Sequence, residues 1–167
     1  MIYDLPSDDD PLDQGDIIAG CPLASIESFN ADDIDATPMG LNIASCLVMT
    51  QTCDLAQQKS VRIVVAVVAP AEQVVASGEL KESMVRGSVR MARAFGWYFL
   101  PANEALALPE LIVDLRQIHT VSREILETLC RDGQRQARLQ TPFREHLAKH
   151  FADTYSRIGL PEPYATQ

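Results

Sequence analysis

The first 58 residues contain no lysine or arginine, although they carry eleven aspartate and glutamate residues. The rest of the chain has 14 basic and 12 acidic side chains, so the net charge of −9 comes from this opening stretch. A chain this acidic is a poor non-specific DNA binder, because phosphate groups need cationic partners. We expect residues 1–13 to form a flexible acidic arm, which either solvates the domain or contacts a basic surface of this chain or of a protein partner.

The sequence also lacks the segments and motifs that mark several large protein classes. No apolar run approaches the roughly 18 residues of a membrane span, and the opening lacks the basic and apolar regions of a secretory signal. The four cysteines form no CxxC pair and no zinc-ligand spacing, which favours free thiols in a reducing compartment. Glycine-rich phosphate loops, nucleophile elbows and paired catalytic carboxylates are missing as well. We therefore expect a cytoplasmic protein that uses no membrane, cofactor or metal.

Two short apolar runs predict strands at the centre of a β-sheet. Residues 43–50 and 61–69 are apolar at successive positions rather than only at alternate ones, which is typical of strands buried on both faces. Further strands are expected at 16–19, 95–100 and 111–121. Residues 20–42 are rich in Asp, Gly and Pro, and we expect them to form a long loop. Residues 71–94 have a more helical and more basic pattern.

The C-terminal third changes to a helical period. Ser122 is a good N-cap residue for a first helix, and Asp132-Gly133 ends it. Thr141-Pro142 begins a second helix, in which apolar residues recur at every fourth position from Phe143 to Tyr155, and which ends near Gly159. The sequence thus predicts a single mainly β domain over 14–167 with an added C-terminal helical pair at about 122–159.

Cys53 is the strongest candidate for a nucleophile. It follows a predicted buried strand, where folds place functional loops, and a nucleophilic thiol needs a base. The candidate catalytic set is Cys53 and Asp54 with His119, or with His146 in place of His119. The alternative is that Thr52 or Asp54 caps a helical turn and that Cys53 is a small buried apolar residue.

A cluster of cationic residues precedes two aromatic residues. Cationic groups beside aromatic rings suit single-stranded nucleic acid, through phosphate contacts and base stacking. Trp97 and Tyr98 are the predicted stacking residues, and the predicted phosphate contacts are Lys81, Arg86, Arg90 and Arg93. The alternative is a solvated helix face with Trp97 buried in the core.

Two other groups favour structural roles. His146, His150 and Asp153 lie on one arc of the last helix, but the glutamate of the zinc protease pattern is missing, so packing is favoured over metal binding. A second basic set, Arg131, Arg135 and Arg138, is expected to bridge the two final helices or to meet the acidic arm.

Four segments, taken in order, resemble the MazF/PemK family of small toxins. They are Gln14-Gly15-Asp16-Ile17-Ile18, Leu47-Val48-Met49-Thr50, residues 63–70, which end in Pro70, and residues 113–118 (Val-Asp-Leu-Arg-Gln-Ile). The resemblance implies an SH3-like barrel, usually dimeric, which in that family cleaves single-stranded RNA. It therefore implies a homodimer and an RNA partner here.

The chain departs from that family at both catalytic positions. The family's arginine before the second strand is replaced by Leu41-Asn42-Ile43-Ala44, and its threonine or serine after the third strand's proline is replaced by Ala71-Glu72. The resemblance therefore implies the barrel more strongly than the nuclease. We expect a toxin-type or nucleic-acid-associated protein that acts as an RNA-binding or regulatory component.

The chain is also similar, over nearly its whole length, to a group of small bacterial proteins. The shared segments are the Thr50–Leu55 turn (Thr-Gln-Thr-Cys-Asp-Leu), Pro142–Leu147 and Arg157–Pro161. This similarity implies no activity, so two alternatives to RNA binding stay open. One is a cysteine-dependent hydrolase or transferase that uses Cys53 with a histidine. The other is a non-enzymatic interaction module of a bacterial defence or mobile-element operon.

Overall fold

The computed structural model describes residues 1–26, 28–58 and 60–156. Within these residues the chain forms one antiparallel sheet of seven strands, with helices on both faces. The strands are β1 (Tyr3–Asp4), β2 (Asp16–Ile26), β3 (Met39–Val48), β4 (Arg62–Pro70), β5 (Trp97–Leu100), β6 (Leu111–Ser122) and β7 (Arg135–Leu139). The helices are α1 (Thr52–Ala56), α2 (Ala71–Ala76), α3 (Glu82–Met84), α4 (Arg123–Arg131) and α5 (Phe143–Tyr155). The predicted mainly β fold with added helices is confirmed.

The sheet order is β1-β7-β2-β3-β4-β6-β5, so the two predicted apolar strands are neighbours at its centre. Leu47 of β3 lies opposite Ala66 of β4, and Val48 lies opposite Val65. All four side chains are buried, as expected for strands covered on both faces. The hydrogen-bonded sheet is open, with β1 and β5 at its edges.

Each face of the sheet is covered by a different C-terminal helix. Leu147 of α5 packs in one core cluster with Leu47 and Val113. Leu126 of α4 packs in the other with Val48 and Val65, because successive residues of a strand point to opposite faces. Ser122 is the N-cap of α4, as predicted. α5 ends at Tyr155, and the predicted end at Gly159 lies outside the described residues.

The prediction of a long loop at 20–42 is wrong, because most of this segment forms a β-hairpin. β2 continues to Ile26, which pairs with Met39 at the start of β3. Gly20 has a φ of +72° at the register shift between Ile18 and Cys21, so the strand bends there and then continues. Between the strands, a single 3₁₀ turn at Ile34–Ala36 separates the two arms of the hairpin.

A strand that the sequence did not indicate lies between the two C-terminal helices. β7 pairs with β2 on one side and with β1 on the other. Its buried residues are Arg135, Ala137 and Leu139, so a cation occupies a position where a strand pattern calls for an apolar residue. The two helices are therefore separated by a return of the chain to the sheet.

The basic region before β5 is only partly helical, although the sequence pattern at 71–94 is helical. α3 continues into a π-helical stretch, Val85–Val89, and the chain then turns with Ala92 at a φ of +53°. Arg93 therefore lies beyond the helical stretch that contains Arg86. Among the described residues, no helix combines the length and apolarity needed to cross a membrane.

Candidate functional site

Cys53 lies exposed on α1, and its side chain contacts two polar neighbours in sequence. Its Sγ lies 3.7 Å from Oε1 of Gln51 and 4.0 Å from Oδ1 of Asp54. His119 lies on β6 opposite Val65, beside a cavity of about 440 Å³, and Nδ1 of His146 lies 2.8 Å from the Tyr98 hydroxyl. In the part of the chain that the structure describes, no hydrogen bond joins Cys53 to a histidine, and the catalytic set of Cys53, Asp54 and a histidine stays a prediction.

The predicted phosphate contacts are exposed, but two of the four carry an acidic partner. Arg86 pairs with Glu82 one helical turn earlier, and Arg90 pairs with Glu110. The Arg90 guanidinium also lies 4.5 Å from the centre of the Phe99 ring on β5. The predicted cationic side chains are therefore exposed, and the charges of Arg86 and Arg90 are partly offset by the two glutamates.

The predicted stacking residues are buried. Trp97 and Tyr98 are each only 6% exposed. The Tyr98 ring packs against His146 and His150, and the Arg116 guanidinium lies 3.8 Å above the Trp97 ring. Trp97 therefore lies beneath this arginine, and Tyr98 belongs to the core.

Asp114 and Arg116 form the most closely bonded charged pair near Trp97. The β4–β6 register jumps from Ala66–Ile118 to Val67–Asp114, which makes a bulge in β6. Asp114 is 5% exposed, and its carboxylate accepts hydrogen bonds from the backbone and side chain of Arg116 at 2.8–2.9 Å and from Gln117 at 2.9 Å. Burial by itself would raise the pKa of Asp114, but these bonds outweigh it and hold the pKa below its usual value.

A cleft of about 380 Å³ opens beside this pair, and we call it the Asp114 cleft. Its lining combines Trp97 and several apolar residues of β3, β4, β6 and α2 with carboxylate, amide and hydroxyl side chains. These polar side chains belong to Asp114, Glu79, Gln117, Gln73, Asn42 and Ser45. Among the described residues, no hydrogen bond uses the side chains of Asn42, Ser45 or Gln73, so these groups are available to a ligand that enters the cleft.

Sequence reasoning did not single out Asp114 and Arg116 as site residues. Their spacing carries a signal, because residues two apart in a strand share one face. Gly96 places its backbone against Arg116, since a Cβ at Gly96 would lie 2.8 Å from the arginine's Cγ. Gly96 has a φ of +80°, so a side chain is disfavoured there on both grounds.

The arc of the last helix that could have held a metal makes other contacts. Nε2 of His150 lies 3.1 Å from the Trp97 carbonyl and 3.2 Å from that of Ala94, and Asp153 pairs with Lys149. Over the described residues, no group of three or more potential ligands is close enough to hold a metal ion.

The acidic opening segment contacts the second basic set, as one of the two sequence alternatives predicted. Arg135 donates to the carbonyls of Ser7 and Asp10 at 2.9 and 2.8 Å. Arg138 pairs with the fully buried Asp16 at 2.6 Å and donates to the Pro11 carbonyl. The segment expected to be a flexible arm is thus bonded to β7 of its own chain.

No protein-family model matches this sequence, and no curated protein shows significant similarity to it. The MazF/PemK resemblance therefore stays a prediction.

Proposed function

We propose that this protein binds single-stranded RNA, and that a base enters the Asp114 cleft. The observation that carries the proposal is the Arg116 guanidinium stacked on Trp97, a residue that lines a cleft in which, among the described residues, the side chains of Asn42, Ser45 and Gln73 make no hydrogen bond. Proteins recognise unpaired bases by stacking them on aromatic or guanidinium planes and by hydrogen-bonding their edges. Asn42 and Gln73 can both donate to and accept from a base edge, whereas the ionised Asp114 can only accept.

Two arginines that cover aromatic rings of β5 suggest the path of the RNA phosphates. Trp97 and Phe99 are two residues apart, so their rings share one face of this strand. Each ring is covered by an arginine, Arg116 and Arg90 respectively. In this proposal the RNA phosphates contact these two arginines together with Lys81, Arg86 and Arg93, all of which are exposed. Exposed ion pairs such as Arg86–Glu82 contribute only about 0–1 kcal/mol, so a phosphate can replace the glutamate.

We further propose that the chain is a MazF/PemK-like protein with an SH3-like barrel, in which the binding function is kept without the family's catalytic pair. Two observations support the barrel. The four segments that carry the resemblance lie on β2, β3, β4 and β6, which are consecutive in the sheet. The hydroxyl of Tyr3 on edge strand β1 donates to the Pro101 carbonyl just beyond the other edge strand, at 2.7 Å. The two edges therefore approach to within the reach of one side chain.

The test is the fluorescence anisotropy of a short, labelled, mixed-sequence RNA titrated with the full chain. We expect Arg86→Glu combined with Arg90→Glu to weaken binding at least about tenfold and to reduce its salt dependence, because each lost phosphate contact lowers the number of ions released. The matched control combines Arg131→Glu with Lys149→Glu, which makes the same change in net charge on α4 and α5. Equal affinities for the two double variants, or no RNA binding by the wild type, would refute the proposal.

A further inference from the structure

The β2–β3 hairpin carries an exposed apolar face. Met39, Leu41 and Ile43 alternate along β3 and are 72%, 70% and 61% exposed. Residues directly opposite in an antiparallel pair point to the same side, and the register pairs these three with Ile26, Ala24 and Pro22. These six residues form one continuous surface, which we call the hairpin face. Contiguous apolar surface of this kind marks an interaction site.

The same part of β3 has an open backbone edge. β3 pairs with β4 only over Ser45–Val48, so among the described residues no strand lies on the second side of Met39–Ala44. The unpaired amides and carbonyls of an edge strand are a template for another strand. An extended segment added there would place alternate side chains next to the hairpin face, as in other cases of strand addition.

The tip of the hairpin face is acidic, whereas the carboxylates at its other end, Glu79 and Asp114, both pair with Arg116. Asp32, Asp33 and Asp35 are exposed at the tip, and at the other end Ile43 lies in the Asp114 cleft, which also contains Glu79. Residues 16–48 contain no lysine or arginine. A second copy packed face to face and antiparallel would place the acidic tip of one chain against a hairpin that supplies no lysine or arginine to pair with it. Charge complementarity therefore favours a basic partner over a second copy.

We propose that the hairpin face binds an extended, basic segment of another protein, added antiparallel to β3. The segment has apolar residues at alternate positions, which pack beside Met39, Leu41 and Ile43. Because an antiparallel segment runs towards the tip, its C-terminal end carries the lysine or arginine residues that meet Asp32, Asp33 and Asp35. This contact is a protein-binding function in addition to the RNA binding proposed for the cleft, and its strand pairing meets that cleft at Asn42, Ile43 and Ala44.

The probe is a fluorescein-labelled peptide, Val-Thr-Val-Thr-Val followed by three lysines, whose anisotropy is measured with the full chain. We expect saturable binding that Leu41→Ser weakens about tenfold, because one large apolar side chain leaves the contact. Val61→Ser is the matched control, since Val61 is 78% exposed and lies outside the hairpin face. We expect this control to leave the affinity unchanged.

Two modified peptides test the remaining parts of the proposal. A peptide ending in three glutamates should bind much more weakly, and a peptide N-methylated at alternate residues should not bind, because it cannot complete the strand pairing. Unchanged affinity with either peptide, or equal effects of Leu41→Ser and Val61→Ser, would overturn the proposal. So would a dimer, seen by light scattering, that Leu41→Ser converts to a monomer, since a second copy would then occupy the face. The RNA affinity of the Leu41→Ser variant is measured as well. If it is unchanged, a loss of peptide binding in this variant does not come from a failure of the Asp114 cleft.

Discussion

Replacing Asp16 by asparagine should destabilise the protein by about 3 kcal/mol, because it leaves a buried cation without its counter-charge. Asp16 is fully buried, with Oδ1 2.6 Å from Nε of Arg138 and Oδ2 3.4 Å from Nε of Arg135. The Arg138 side chain is 16% exposed and can turn towards water, whereas that of Arg135 is only 1% exposed. Arg135 keeps its hydrogen bonds to the Ser7 and Asp10 carbonyls. We therefore expect a loss of stability at the lower end of the roughly 3–5 kcal/mol that breaking a buried ion pair costs.

Urea unfolding followed by circular dichroism measures this loss. A stability change of this kind lowers the midpoint and leaves the slope with denaturant unchanged. Asp153→Asn is the control, because it breaks the exposed Lys149–Asp153 pair, for which we expect less than about 1 kcal/mol. If Asp16→Asn cost no more than this control, the buried network would not hold the opening segment to β7.

Two further predictions concern single side chains. In a thiol-modification assay under native conditions, Cys53 should react first and Cys53→Ser should remove the fast phase, because Cys21, Cys46 and Cys130 are buried; equal rates for all thiols would contradict this. Burial raises the pKa of Tyr98 to about 12, so this residue contributes stability below about pH 10 that is lost as the pH rises towards 12. Tyr98→Phe should therefore lose less stability than the wild type in this range, and identical alkaline unfolding curves would contradict that.

The central strands and the C-terminal helices could be predicted from local patterns. The apolar runs that became β3 and β4 bury both faces, which leaves a distinct composition in the sequence. β7 could not be predicted in this way, because its first residue is a buried arginine whose charge is offset by Asp16, over a hundred residues earlier in the chain. The hairpin was missed because residues 20–42 contain three aspartates, two glycines and two prolines, and these residue types usually mark loops.

The candidate site depended still more on long-range contacts. The sequence places Trp97 next to a basic segment, which suggested an exposed stacking ring. In the structure, Arg116 covers that ring from the neighbouring strand, and Asp114 fixes the arginine. Neither contact follows from the spacing of residues 81–98. The distance from Cys53 to a histidine likewise cannot be predicted from local spacing, because it depends on how the sheet folds.

The fluorescence of Trp97 tests the proposed cleft most directly, because it is the only tryptophan in the chain. A base that enters the Asp114 cleft must change the surroundings of this ring and of the guanidinium stacked on it. We predict that single-stranded RNA changes the Trp97 emission, and that this change saturates at the same concentration as the RNA anisotropy. RNA binding that saturates while the Trp97 emission stays constant would contradict the account, as would the absence of binding.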